Sequence, residues 1–500
     1  MVPKLVNILF YFRFPKLLMK YLFPLLFCLC ITSILNAQEE VLSFSEEATN
    51  TRTIEGYSFS NQQTGDLALL LVERKDLHAY LFNKDFQKIT SFHAKPFRSK
   101  FSEIVGYRVS NNKFTLVAID KNKKKYAVQT LDFDTKKATM EEFKFDFDKE
   151  KYLETVHYND ELYLITATRD NEFIIKKLNA SHQFSEVKRF TIEATERDQK
   201  LLKSGFFTIG LFGKRTGNVV KIDNRVPNAI EQTAKSNKLY QKDNLVYLTI
   251  ENDEALKSTL HIINLETFSL QTKVYDYPRG LKDDLKEYNS FILDEYLIQL
   301  GSSRDEMVMH IKDFDGTLLK EHYIDRDKPI AIKNSPIIQE GQTALIFVNR
   351  REMEETSKFL RKVTSGNIGV TAYKNKGEYY FTIGGYKDVS RGGGGMMMGG
   401  VGGVATPITT GGGQTIMVTY NPTFYSYSGY NSTKSTFFNT VFDTQFNYVE
   451  KEEEANIFER IKAFKKEVKY DTAEDVFFHQ DVLYFGYFDG KAKQYHLYKM

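Results

Sequence analysis

Asn111-Asn112-Lys113-Phe114-Thr115-Leu116-Val117-Ala118-Ile119 joins two polar residues suited to a tight turn to an apolar run too short for a typical helix. The same join recurs along the chain. Gly65-Asp66 precedes Leu67 to Val72, Asn159-Asp160 precedes Leu162 to Ala167, and Asp243-Asn244 precedes Leu245 to Ile250. Further copies are Asp294-Glu295 before Tyr296 to Gly301 and Glu340-Gly341 before Ala344 to Asn349. Lys376-Gly377 before Tyr379 to Gly384 and Gln480-Asp481 before Leu483 to Tyr487 complete the set. A second join follows most of these: Phe82-Asn83, Phe133-Asp134, Leu178-Asn179, Ile263-Asn264, Phe314-Asp315 and Phe442-Asp443 each end an apolar strand on an Asx residue that tolerates turn geometry.

Each unit therefore reads strand, turn, strand, turn, strand. Several copies recur at about 45 to 50 residues, the period of a four-stranded propeller blade. A lone blade cannot bury both faces of its sheet, whereas blades packed around an axis bury both and leave short edges. The expected fold is all-β, a β-propeller-like ring of seven or eight blades with a few short surface helices. The gaps between Ala167 and Leu245 and between Gly384 and Leu483 leave room for a degenerate blade or an insertion. Ile54 to Phe59 is the expected ring-closing strand beside the last unit, Leu483 to Tyr498. No WD or kelch signature accompanies the repeats. Transmembrane barrel strands need about ten alternating residues with an uncharged lipid face; these strands are shorter, are bounded by charge, and the chain ends Leu497-Tyr498-Lys499-Met500 without a terminal aromatic.

Composition agrees with strands: 40 Phe and 30 Tyr stand against no Trp and 10 Pro. The 68 basic and 65 acidic residues nearly cancel, which leaves no global field for nucleic acid or an anionic membrane. Basic runs such as Lys123 to Lys125 read as solvated turn tips.

Residues 1–37 read as a secretory signal peptide. Met19-Lys20 is a basic start, Tyr21 to Leu35 an apolar stretch interrupted by Pro24, and Asn36-Ala37 a cleavage site before Glu39-Glu40. Translation is expected to begin at Met19, and residues 38–500 to form one domain that is exported to the periplasm or cell surface without a transmembrane span. Both cysteines, Cys28 and Cys30, fall in the apolar stretch, so the processed chain would hold no disulfide, thiolate or thiolate-bound metal. Neither cysteine follows a small residue, as a lipid anchor requires.

Helices are expected at Glu450 to Glu467, with Ile457, Phe458, Ile461 and Phe464 on one face, and more weakly at Glu193 to Lys203 and Arg351 to Lys362. The segment 392–413 is a Gly/Met-rich insertion, read as lying in a hairpin between Tyr379 to Gly384 and Thr415 to Tyr420. It lacks the Lys-Ser/Thr pair of a phosphate loop, and no His or Cys supports Met396, Met397 and Met398 as metal ligands. These thioethers offer an adaptable apolar contact to a partner. Tyr420, Phe424, Tyr425, Tyr427 and Tyr430, then Phe437 and Phe438, read as alternating strand aromatics that pack, with Tyr425, Tyr427 and Tyr430 as candidate partner contacts.

Nine scattered histidines form no HExxH or close metal-ligand pair, and no Gly-x-Ser-x-Gly elbow occurs. Asp313-Phe314-Asp315-Gly316 carries its glycine at the fourth position instead of the sixth that a calcium loop needs, and is read as a turn. Asp132 with Asp134, and Asp146 with Asp148, are read the same way. No catalytic residue, cofactor or metal is nominated. The reading is an exported non-catalytic propeller that binds a protein or glycan partner in the cell envelope. The alternatives are a propeller hydrolase or lyase acting on an extracellular polymer, and a structural subunit of an envelope complex.

Overall fold

The computed structural model describes residues 38–46, 54–147, 149–168, 170–192, 219–252, 255–342, 348–387, 417–418, 420–430, 435–468 and 471–500. The expected signal peptide, the expected helix at Glu193 to Lys203, Asp148, and Met396, Met397 and Met398 lie outside these residues. Among the described residues the strands form seven sheets of four or five strands, one per blade.

Polar turn residues create the innermost hairpins. Asn111, Asn159, Asp160, Asp243, Asp294, Lys376, Gln480 and Asp481 all have φ between 49° and 60°, the left-handed geometry that lets a two-residue turn follow strand twist. The second type of join works through its side chain. Asn83 Oδ1 accepts the backbone N–H of Asp85 at 3.0 Å and of Gln87 at 2.9 Å. Asn179 does the same for Ser181 and Gln183, and Asp313 for Asp315 and Thr317. The carboxylate of Asp313 thus folds a turn.

Blade 1 runs Glu55–Ser60, Leu67–Val72, Leu77–Phe82 and Lys88–Ala94 from axis to rim, and blade 2 runs Phe101–Ser110, Lys113–Asp120, Lys125–Asp132 and Lys137–Lys144. Blade 3 is Glu150–Tyr158, Glu161–Thr168, Glu172–Leu178 and Phe184–Thr191. Blade 4 is Asn237–Lys242, Leu245–Asn252, Lys257–Asn264 and Ser269–Asp276; blade 5 is Glu287–Leu293, Tyr296–Ser302, Glu306–Asp313 and Leu318–Asp325. Blade 6 is assembled out of order, as Asn367–Asn375, Glu378–Tyr386, Ser435–Phe442, Ile337–Gln342 and Val348–Met353. Blade 7 is Asp471–His479, Val482–Asp489, Gln494–Lys499 and, at the rim, Glu39–Ser45.

Burial follows position in the blade. Leu67–Val72 is buried at every residue, since its sheet is covered on both faces by neighbours, and this is why the second strands read as continuous apolar runs. The rim strand Lys137–Lys144 is mostly exposed and charged, which discourages edge pairing with other chains. Innermost strands of successive blades touch: blade 7 meets blade 1, blade 2 meets blade 3, and blade 5 meets blade 6. Ala473 donates its N–H to the Ile54 carbonyl at 3.0 Å. A Cβ at Gly56 would stand 2.4 Å from the Ala473 carbonyl oxygen, so only glycine allows this approach.

The repeat reading therefore holds, with seven sheets. The join at Glu340-Gly341 does not open an eighth blade, because it lies inside Ile337–Gln342 and that strand sits in blade 6 with the Lys376-Gly377 hairpin. Neither long gap holds a further sheet among the described residues. The closing strand is not Ile54 to Phe59, which becomes the innermost strand of blade 1. Glu39–Ser45 closes the ring instead, with Leu42 opposite Leu497 and Phe44 opposite Tyr495. The 39–45 segment alternates burial only weakly, as a rim strand does, and so lacks the apolar run that marks the inner strands.

Among the described residues the helices are α1 (Ile230–Thr233), α2 (Thr356–Thr364), α3 (Pro422–Tyr430) and α4 (Ile457–Lys465). α4 is shorter than the expected 450–467 and begins where Asn456 caps the Phe458 and Glu459 N–H groups while Glu459 reaches back to the Asn456 N–H. It packs on blade 7 through Phe458 and Ile461. α2 replaces the expected helix at 351–362, whose first residues belong to Val348–Met353. Of the aromatic series expected as strand, Phe424, Tyr425, Tyr427 and Tyr430 lie in α3, Tyr420 precedes it, and Phe437 and Phe438 lie in Ser435–Phe442. Glu378–Tyr386 pairs with Ser435–Phe442 instead of with 415–420, and Met417–Val418 runs parallel to Phe101–Ser110 in blade 2.

Because strands alternate within each blade, one face of the ring collects the starts of first and third strands and the ends of second and fourth strands. This is the leading face of the ring.

Candidate functional site

The axis is where a propeller usually offers convergent side chains, and here the chain's own segments occupy it. Val219–Ile222 adds a parallel strand on the axial side of blade 4, and Met417–Val418 does so on blade 2. Between them pass the Asp223 to Ala234 segment with α1, and α3, which touches blade 4, blade 7 and α1. Met417–Val418 and α3 leave blade 6 between its second and third strands and cross to other blades.

Buried hydrogen bonds hold this plug. Thr423 Oγ1 donates to Asp223 Oδ2 at 2.6 Å and Ser426 Oγ to Asn228 Oδ1 at 2.6 Å. Asn228 Nδ2 donates to the carbonyls of Asp223 and Val226, both at 2.8 Å, and Gln232 Nε2 to the Tyr425 carbonyl at 2.9 Å. Asn421 caps α3 by accepting the Phe424 N–H at 3.1 Å, and its Nδ2 donates to Asp475 Oδ1 at 3.2 Å and the Val476 carbonyl at 3.1 Å. Burial would raise the Asp223 carboxyl, but the Arg225 guanidinium at 2.9 and 3.0 Å together with Thr423 holds it below the usual range. A Cβ at Gly429 would meet Gln232 Nε2 at 2.3 Å, so a glycine lets α3 lie against α1.

Aromatic rings fill the space beside the plug. Tyr420 stacks on Phe59 at 4.9 Å and meets Tyr107 edge-on at 6.0 Å, while Tyr107 stacks on His157 at 4.3 Å. Burial, with Lys221 nearby, pushes His157 down to about 3, so it is neutral at physiological pH.

Two carboxyls sit where blades 1 and 7 meet. Burial raises both Glu55 and Asp475 to about 7, against the lowering effect of Tyr57 on Glu55 and of Ser58, Val476 and Asn421 on Asp475. Carboxyls poised near neutrality suit general acid–base work. Asp475, however, is buried under Asn421 of the plug. Ser60 Oγ lies 2.8 Å from His479 Nδ1, but His479 Nε2 has no hydrogen-bond partner, so no carboxylate orients the ring as a triad requires.

Of the sequence-nominated contacts, Tyr425, Tyr427 and Tyr430 all lie on α3. Tyr427 is buried, edge-on to Phe458 at 5.5 Å, with its hydroxyl 3.1 Å from Glu474 Oε2. Tyr430 accepts a hydrogen bond from Asn456 Nδ2 at 2.6 Å, and Tyr425 packs against the core of blades 5 and 6. The axial polar set of Asp223, Asn228, Asn421, Thr423, Ser426 and Asp475 escaped sequence reasoning. It comes from distant segments, and its one local signal is Asn421-Pro422, a helix start with proline at the first position.

Among the described residues Leu281 is the most exposed large apolar residue, at 74%, in the connection between blades 4 and 5 on the leading face. The buried Glu306 carboxylate accepts the N–H groups of Leu281, Lys282 and Asp283, each at 2.9 Å, and fixes this loop. Burial opposes ionisation of Glu306, yet these backbone donors hold its pKa below the ordinary value.

No family model and no curated protein matches the chain. Solved structures similar to it include the WD40 domain of SCAP from fission yeast, at 7% identity over 92% of this chain and 89% of that one, with a TM-score of 0.29. A member of the DUF4221 family from Bacteroides vulgatus aligns at 10% identity over 90% and 98% of the two chains, TM-score 0.29. The β-propeller domain of the Trilobed protease from Pyrococcus furiosus aligns at 11% over 57% and 79%, TM-score 0.23. The assignment of a seven-bladed propeller rests on the chain's own sheet order and on the contacts between its innermost strands.

Proposed function

We propose that this chain is an exported, non-catalytic propeller that binds a protein partner in the cell envelope through its leading face. The observation that carries the reading is the filled axis: the chain's own segments with α1 and α3 lie there, and the innermost-strand acid Asp475 is hydrogen-bonded to Asn421, the cap of α3. Recognition is thereby left to the faces. Leu281 is held in place before any partner arrives, which lowers the ordering cost of binding. A protein is favoured over a glycan because Tyr425, Tyr427 and Tyr430, the rings that would have stacked on sugars, are packed within the chain. Residues 1–37 support export, and no helix among the described residues is long and apolar enough to cross a membrane.

Crosslinking in an envelope fraction tests this. Leu281→Asp should lose the crosslinked partner, while Ile89→Asp, also exposed but at the opposite end of a rim strand, should keep it. Deleting 392–413 tests Met396, Met397 and Met398 as further contacts. Equal capture by both point variants, or turnover of an extracellular polymer by the purified chain, would overturn the proposal.

A further inference from the structure

His78 and His93 stand directly opposite each other on the third and fourth strands of blade 1, with ring centroids 4.5 Å apart. Both lie at the leading face, His78 one residue into its strand and His93 one residue before the end of its own. Glu46, which follows the closing strand Glu39–Ser45, reaches the same point from blade 7 and is tied back by its N–H to the Lys493 carbonyl at 3.0 Å. One ligand atom each from Glu46, His78 and His93 lies within 4.8 Å of the others.

His78 is 5% exposed and sits between two carboxylates. Its Nε2 is 3.2 Å from Glu73 Oε1 and its Nδ1 is 2.9 Å from Glu46 Oε1. The Nδ1 contact lacks hydrogen-bond geometry. With Nε2–H donated to Glu73, Nδ1 keeps its lone pair on the side of the Glu46 oxygen, where a cation bound to both atoms would relieve the repulsion between them. A carboxylate that orients a histidine through its other nitrogen is the usual outer support of a metal-bound imidazole. Two imidazoles and one carboxylate with an open fourth position match the ligand preferences of zinc.

We propose that Glu46, His78 and His93 bind a divalent transition-metal ion of the zinc class, with Glu73 orienting His78. The ion joins the closing strand of blade 7 to blade 1 at the seam of the ring. The site would supply a cross-link to a chain whose exported part has no cysteine for disulfides. It does not depend on the partner-binding reading.

Zinc ion itself is the probe. Chain stripped with EDTA and titrated calorimetrically should bind one equivalent of Zn2+, and Co2+ in its place should show the visible absorption of a low-symmetry site. His93→Ala changes an exposed side chain and should fold; Glu46→Gln keeps the shape of its residue. Each should weaken Zn2+ binding at least tenfold, and Zn2+ should raise the Tm of the wild type but not of His93→Ala. The absence of stoichiometric Zn2+ binding, or binding unaltered in both variants, would overturn the site. Binding without a rise in Tm would overturn its role at the seam.

Discussion

Asp475 lies on the innermost strand of blade 7, under Asn421 and beside Ser58 of blade 1, and burial lifts its pKa to about 7. A carboxyl with an unfolded value near 4 and a folded value near 7 binds more protons folded than unfolded between those limits. Its contribution to stability is therefore fully present below about pH 4 and is lost as pH rises to about 7. Asp475→Asn removes this term. In urea unfolding followed from pH 4 to pH 8, the variant should gain stability relative to wild type by up to about 4 kcal/mol across the window, three pKa units at 1.36 each. An unchanged pH dependence would show that Asp475 is ionised in the fold. Little of this is legible in sequence, because Asp475 differs from the solvated Asp315 only through what covers it.

α3 is the element that sets this propeller's chemistry, since it closes the axis. Its apolar and aromatic residues point several ways, so no single stripe marks it as a helix, and alternation of rings imitates a strand. Its true anchors are small polar groups. Ser426→Ala removes the donor to Asn228 Oδ1 inside a buried network, and should cost about 1 to 3 kcal/mol by denaturant midpoint with no change in far-ultraviolet circular dichroism. A neutral result would mean that water reaches Asn228 from the axis. α4, by contrast, was legible in outline because Asn456 and Glu459 form a capping box and its apolar residues fall on one face. It starts at Ile457 and not at Glu450 because Glu450 to Glu454 adds charge without a cap.

For the whole molecule, closure between blades 7 and 1 decides whether seven sheets act as one body. Three features meet there: the Ala473 to Ile54 hydrogen bond, the rim strand Glu39–Ser45, and Phe44 against Tyr80 at 4.5 Å. Leu42 is buried opposite Leu497, so Leu42→Asp places an unpaired charge in that seam. It should lower stability by about 3 kcal/mol or more. Amide exchange should rise first in Gln494–Lys499, which loses its neighbour, while blades 3 to 5 stay protected. Uniform exchange across all blades would show that the ring unfolds without a weak seam.

The sequence by itself determined the repeating unit. Turn residues with left-handed backbone and apolar runs five or six residues long act locally, and each copy carries its own signal. It determined the strand-rich class for the same reason, and it located the second strand of every blade. Only the tertiary structure decided the blade number, the closing strand, the out-of-order assembly of blade 6 and the contents of the axis. Those depend on pairing between segments far apart in the chain, from Tyr379 with Phe442 to Leu42 with Leu497, where the partner of a strand or a carboxyl is set by packing in space. His78 and His93 mark the boundary between the two: a turn centred near Asp85 places them in register, but only the closed ring brings Glu46 to meet them.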